Sequence, residues 1–217
     1  MSIDMRRGKI AIVDYQLNNL FSVKNAIDSL GYESQIVTEP SQIGAADGLV
    51  LPGIGAFPEA MKRLDSLGFI GAIEGFVRSG RPLLGICLGL QLLFSSSDEY
   101  GTHEGLGLIN GKVRALKERA QSVAIPHVGW NTAERTSLLT ANRETKDTGM
   151  DIIDGGYYYF VHSYVVEPSN ISHSYTNTTY GGYQFCSSIA KDNIFGCQFH
   201  PEKSGSAGLN IFKSVFG

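Results

Sequence analysis

Two short stretches carry the residue types best suited to covalent chemistry. One is Gly85-Ile86-Cys87-Leu88-Gly89, a cysteine between two glycines. The other, far downstream, is His200-Pro201-Glu202. A cysteine sulfur can attack a carbonyl carbon, an imidazole can move the protons, and a carboxylate can orient the imidazole. In an extended segment residues i and i+2 face the same side, and Pro201 favours an extended His200, so His200 and Glu202 project together. Each stretch alone has a plainer explanation. A cysteine in an apolar run is usually a small buried hydrophobe, and a histidine beside a glutamate is an ordinary strand-end pair. Together they spell a cysteine–histidine–carboxylate nucleophile.

The cysteine lies between two apolar segments. Residues 82–86 read as a buried strand and 90–94 as a helical stretch. A nucleophile at a strand-to-helix turn is the elbow arrangement, with flanking glycines removing side chains that would collide in so tight a turn. The helix N-terminus favours a thiolate there. Pro52-Gly53-Ile54-Gly55 follows another apolar run. Its backbone N–H groups, with that of Leu88, could form an oxyanion hole; an ordinary strand-ending loop explains it equally well. Gln91 lies four residues after Cys87 and shares the elbow's face of a helix. It could bind a polar substrate or simply cap the cleft.

The rest of the chain must position these groups. Residues 9–13, 34–37 and 48–51 read as strands. Leu20, Val23, Ile27 and Leu30 follow at helical spacing, with Asn18 or Asn19 as cap and Gly31 as stop. Residues 58–67 and 69–79 also read as helices. This alternation predicts a three-layer α/β fold with a mostly parallel sheet, whose sites gather at the carboxyl ends of the strands. The second half differs. Residues 106–116 and 157–166 read as strands, and 172–176, 183–190 and 193–199 as a meander turning at Gly181-Gly182 and at 191–193. That part looks antiparallel. Residues 205–216 form a closing helix with Leu209, Phe212 and Val215/Phe216 as its apolar face, and the polar stretch 132–151 reads as loop and short elements.

Composition narrows the class. The 217 residues suit one domain spanning 1–217, with 42% hydrophobic and 18% charged residues. A net charge of −3 argues against a nucleic-acid partner. Three cysteines, Cys87, Cys186 and Cys197, form no spaced framework, which suits a reducing cytosol. The first residues lack the apolar core of a signal peptide, and no stretch approaches the roughly 20 apolar residues of a membrane span. A cytoplasmic protein without membrane contact is expected. His127 and His162 are not spaced as a metal pair, no metal is predicted, and His103 and His173 read as surface or loop. The only tryptophan, Trp130, lies in a Pro126–Asn131 segment, and Tyr157 to Tyr164 is dense in aromatics. Such clusters are most often core, but exposed Trp and Tyr also anchor partners.

GICLGLQLLF together with QFHPEKSG resembles the class I, triad-type glutamine amidotransferases, and the resemblance runs essentially the whole length. Within that class, LPGIGAF, IPHVGWN and YYYFVHSY resemble the glutaminase subunits of imidazole glycerol phosphate synthases. Other members often carry a Gly-Gly-Pro turn where Pro52-Gly53-Ile54-Gly55 stands, and Leu90 occupies a position where Met is common. The resemblance implies a flavodoxin-like fold with an antiparallel C-terminal part. Cys87 would be the nucleophile, His200 the base and acid, and Glu202 its orienter. Gly53, Ile54 and Gly55 would form the oxyanion strand, joined by the Leu88 amide, and Gln91 with the Ser163-Tyr164 backbone would hold glutamine. No cofactor is implied. Glutamine would become glutamate through a Cys87 thioester, and ammonia would pass through a dry tunnel to a separate (β/α)8-barrel cyclase in histidine biosynthesis. His127, Trp130, Asn131, Tyr157 and Tyr158 would lie at the docking face of this heterodimer. The same motifs suit a paralogue that supplies ammonia for amidation of surface-polysaccharide sugars. A cysteine peptidase or γ-glutamyl hydrolase on the same architecture, or a binding module that merely keeps the fold, are the remaining alternatives.

Overall fold

A computed structural model describes residues 7–17, 20–136 and 155–217. The first half alternates as the apolar runs predict. Strand β1 (Arg7–Val13) leads through α1 (Leu20–Ser29) to β2 (Tyr32–Val37) and β3 (Gly48–Gly53). Helices α2 (Phe57–Ser66) and α3 (Phe69–Arg78) precede β4 (Leu83–Cys87) and the short α4 (Leu88–Leu92). The second half holds β5 (Phe94–Ser97), β6 (His103–Glu104), β7 (Ile109–Ala115), β8 (His127–Arg135) and β9 (Gly156–His162). It continues through β10 (Tyr164–Pro168), β11 (Ser174–Tyr180), β12 (Tyr183–Lys191) and β13 (Ile194–Cys197) to α5 (Gly205–Phe216).

The main sheet runs β2-β1-β3-β4-β13-β12-β10-β7-β5-β6. Its β2-to-β13 stretch is parallel throughout, whereas β13–β12, β12–β10 and β10–β7 are antiparallel. Alternating side chains along each strand fill opposite faces. Ala11, Val13, Leu49 and Leu51 pack on one face with Phe57, Leu64 and Phe69 of α2 and α3. Ile10, Ile12, Val50 and Ile86 pack on the other with Val23 and Ile27 of α1 and Phe212 of α5. These are the three layers. Both Gly53 and Cys87 end parallel strands, side by side in register. Among the described residues no helix is long and apolar enough to cross a membrane.

Several expected boundaries move. The strand expected over 157–166 is two strands: β9 pairs with β8 in a ribbon that reaches the sheet through β11 and β12, and β10 lies in the main run between β12 and β7. The break falls at Ser163. The helix expected to reach Phe94 stops at Leu92, and Phe94 pairs with Ile109 instead. Leu88 to Phe94 are all buried, so no polar face marks the change of period. Residues 132–135 extend β8, and the rest of the stretch read as loop is described only at Thr136. The proposed caps Asn18 and Asn19 lie outside the described residues. On α5, Ile211, Phe212 and Val215 are buried while Leu209 is only partly so. Gly208 sets this rotation, because a Cβ there would overlap the Pro201 carbonyl.

The closest approach in the parallel half is backbone to backbone. A Cβ on Gly89 would overlap the Leu51 carbonyl oxygen, and one on Gly85 would stand 2.9 Å from Gly89 O and Leu90 N. Only glycines let α4 turn so sharply over β3 and β4. Gly89→Ala should therefore destabilise the fold by about 3 kcal/mol or more, read as a lower urea midpoint. An unchanged midpoint would show that the contact has room to relax.

Candidate active site

Cys87 ends β4 with φ 54° and ψ −109°, a conformation that side-chain-bearing residues rarely adopt. This is the strained strand-to-helix turn the motif predicts. The helix behind it has only five residues, so the thiol meets a few local N–H groups rather than a long dipole. The sulfur accepts from Gln198 Nε2 at 3.6 Å and its thiol donates to the Val161 carbonyl at 3.8 Å.

His200 reaches the same cavity from the end of β13. Its own N–H donates to the Tyr159 carbonyl at 2.9 Å, and Ser204 Oγ donates to its carbonyl at 2.6 Å, so the main chain is pinned on both sides. The imidazole Nδ1 meets Glu202 Oε1 at 2.8 Å, with both side chains almost fully buried. The two side chains meet as expected, but not across an extended segment: His200 is extended and caps a single 3-10 turn, Pro201–Lys203, which brings Glu202 back to the ring. Nε2 is buried without a hydrogen bond of standard geometry. Burial pushes the imidazole's pKa down, but the Cys87 sulfur and then the Glu202 carboxylate outweigh it and raise it to about 10. Such a ring holds a proton readily and is well placed to take one from sulfur.

Cys87 and His200 line one cavity of about 300 Å³ with Ile54, Gly55, Leu88 and Gln91. Val161, Ser163 and Tyr164 form its far wall. The volume is roughly ten times a water's share of the liquid, which suits an amino-acid-sized substrate. Gln91 is buried and partly committed: its Nε2 donates to Gln198 Oε1 at 3.0 Å and to the Tyr164 carbonyl at 3.3 Å. Its oxygen is the atom left to face a ligand. The segment expected to supply the oxyanion hole follows β3 beside Cys87, and its Ile54 N–H donates to the Leu17 carbonyl at 3.1 Å. That amide is therefore committed to the loop after β1.

Two polar groups beside the site escape the sequence reading: Gln198, although it opens QFHPEKSG, and Glu99. Gln198, fully buried, bridges Gln91 and the sulfur. Glu99 lines the cavity with its carboxylate held by the Phe57 N–H at 2.7 Å, and burial raises its pKa. A lone acid in the Ser-Ser-Ser-Asp-Glu run gave no periodicity or spacing to read. Among the described residues no cluster of His, Cys, Asp and Glu is gathered to hold a metal ion.

The expected docking residues separate by strand alternation. Trp130, Val128 and Tyr157 are exposed on the β8–β9 ribbon. Tyr158 and His127 point the other way and are corrected from that face. Tyr158 is fully buried and stacks on Phe199 at 4.2 Å. His127 is buried between Tyr180, 4.0 Å away, and Phe160, 4.9 Å away. Asn131 is half-buried and donates to the Thr179 carbonyl at 3.0 Å.

His127 joins a buried run of hydrogen bonds. His162 Nδ1 lies 2.9 Å from the Tyr164 carbonyl, so it carries the proton. His162 Nε2 must then accept, and His127 Nδ1 donates to it at 3.0 Å. Burial lowers the pKa of His127 to about 4 and that of His162 to about 3. Both rings are neutral near pH 7 in the folded chain.

Comparison with known proteins agrees with this geometry. The family profile "Glutamine amidotransferase class-I" matches residues 11–216. The "Imidazole glycerol phosphate synthase subunit HisH 1" of Legionella pneumophila (strain Lens) is 43% identical, covering 95% of this chain and 97% of its own. The "Imidazole glycerol phosphate synthase subunit HisH" of Sulfurimonas denitrificans is 45% identical, covering 94% and 96%. Among solved structures, PurLQS from Thermotoga maritima superposes with a TM-score of 0.71 at 16% identity, covering 96% of this chain and 97% of its own. A crystal structure titled as a glutamine amidotransferase gives 0.70 at 18%, covering 95% and 98%.

The two lowered histidines set the acid limb of stability. Below the ordinary histidine value of 6.5 the unfolded chain binds protons that the folded chain refuses, so stability falls as pH drops from 6.5 toward 4. His127→Phe keeps an aromatic ring in the stack and should flatten that limb by about 1.4 kcal/mol per pH unit. Urea unfolding at several pH values between these limits measures it; an unchanged slope would mean His127 titrates normally.

Proposed function

This chain belongs to the class-I glutamine amidotransferases, and from that premise we propose that it is the glutaminase subunit of an imidazole glycerol phosphate synthase. The meeting of Cys87 with the His200–Glu202 pair at one cavity carries the chemistry. Identity of 43–45% over more than nine-tenths of the chain carries the choice of complex. The family profile's span supports reading residues 1–217 as one domain.

This reading gives each residue of the site a step. Cys87 attacks the side-chain amide carbon of glutamine while its proton passes to His200. The tetrahedral oxyanion takes hydrogen bonds from the Leu88 and Ile54 amides. His200 then protonates the departing nitrogen, ammonia leaves, and a γ-glutamyl thioester remains on Cys87. His200 next takes a proton from water, the hydroxide adds to the thioester, and glutamate leaves as the thiol is restored. Glu202 keeps the imidazole oriented in both halves. Gln91 Oε1 and the Ser163-Tyr164 backbone hold the amino-acid end, and the Glu99 carboxylate meets its ammonium.

Ammonia is the useful product, and in bulk water near pH 7 most of it is protonated and no longer nucleophilic. We assign its consumer as a separate (β/α)8-barrel cyclase that docks on the ribbon face bearing Trp130 and Tyr157, in the cytoplasm, with the ammonia carried between them out of contact with water. The Ile54–Leu17 hydrogen bond supports a gated enzyme. Until the Gly53–Ile54 peptide turns, one oxyanion donor is missing. Loss of one such donor costs about 10² to 10³ in turnover. The isolated chain should therefore hydrolyse glutamine at least about a hundredfold more slowly than its complex with the cyclase and cyclase substrate. Co-purification followed by glutaminase assay with and without that substrate measures it, and equal rates would remove the gate. Trp130→Ala should weaken partner binding about thirtyfold, about 2 kcal/mol; unchanged affinity would move the docking face elsewhere.

A further inference from the structure

Tyr15 follows β1 and is fully buried. Its hydroxyl is inaccessible and has no hydrogen-bond partner among the described residues. It is not remote from the chemistry. A Cβ on Gly53 would overlap this hydroxyl oxygen and would stand 3.0 Å from Leu88 Cβ. The hydroxyl therefore lies against the main chain of the oxyanion strand, beside the residue that opens α4. Burial, with the Cys87 sulfur adding to it, pushes its pKa up, so the group stays a donor. Buried donors almost always find an acceptor, and an exception asks for an explanation.

The neighbouring peptide supplies one. The Ile54 N–H is bound to the carbonyl of Leu17, two residues after Tyr15. A peptide unit is planar, so turning that N–H toward the oxyanion hole swings the Gly53 carbonyl the opposite way. It would arrive facing the Leu17 carbonyl, acceptor against acceptor. A donor within reach of the turned carbonyl removes the conflict, and the buried phenol packed against Gly53 is such a donor. We propose that the Tyr15 hydroxyl receives the Gly53 carbonyl when the Gly53–Ile54 peptide turns, making Tyr15 a positioning residue for glutamine hydrolysis. This rests on the gated reading given above. In the resting arrangement the hydroxyl goes unsatisfied; in the working one it is paired, so it shifts the balance toward the complete oxyanion hole.

Tyr15→Phe removes the hydroxyl and nothing else. Because that oxygen makes no bond in the resting chain, the thermal midpoint of the isolated subunit should hold or rise, by about 3 °C. In the reconstituted complex with the cyclase and its substrate, kcat for glutamine should fall about tenfold. KM should stay within about twofold, because the oxyanion forms only after binding. Alkylation of Cys87 by iodoacetamide, which needs no oxyanion hole, should keep its rate. Stability held or gained with turnover lost is the signature of the proposal. An unchanged kcat overturns it. A lower midpoint also overturns it, since the hydroxyl would then be bonded in the resting state. Slower alkylation overturns it in favour of a direct role on the sulfur. Failure of the gate itself is read separately, as full turnover by the isolated wild-type chain.

Discussion

A cysteine held at φ 54° and ψ −109° is a strained residue, and the structure around it exists to keep it there. Such a backbone costs of order 1–3 kcal/mol and persists only when its surroundings leave no alternative. Here the surroundings are two parallel strands and a five-residue helix laid directly on them. Gly89 sits against the Leu51 carbonyl with no space for a side chain, and Gly85 sits against the next turn. The helix cannot rotate without colliding, so Cys87 cannot relax. The parallel sheet positions the Gly53–Gly55 segment by the same means, because Gly53 ends β3 in register with Cys87.

The antiparallel half supplies the polar groups. β13 delivers His200, and the hydrogen bond from its N–H to Tyr159 ties it to β9. Charge then sets its character. Burial alone would make His200 a weak base, as it does His127 and His162. The difference lies in partners: His200 has a carboxylate and a sulfur, while the other two have each other and a carbonyl. One fold therefore holds three buried imidazoles, two locked neutral and one held basic.

Much of this was legible in the residues. Gly-x-Cys-x-Gly and His-Pro-Glu are local patterns, so the elbow and the meeting of His200 with Glu202 could be read directly, although a 3-10 turn and not an extended segment joins that pair. The alternation of apolar runs gave the parallel half for the same reason. What could not be read depends on contacts between distant segments. Glu99 reaches the cavity, and Gln198 the Cys87 sulfur beside it, only because the chain after β5 and after β13 comes to one place. Tyr158 looked like a surface anchor in an aromatic run, and strand alternation turned it into the core while leaving Tyr157 outside. The break at Ser163 was invisible because both flanking strands are rich in β-formers. The Leu17–Ile54 bond joins two loops whose sequences carry no mark of each other.

Ser163 separates β9 of the ribbon from β10 of the main run. His162 before it and Tyr164 after it both line the cavity. One wall of the cavity is thus the bend where the chain leaves the β8–β9 ribbon, which also joins the sheet through β11, and enters the main run of strands. The width of such a cleft depends on how ribbon and main run are set at that bend as well as on the side chains lining it. Selectivity for an amino acid of one length is then in part a property of sheet geometry, and residues far along the ribbon can alter it without ever touching the ligand.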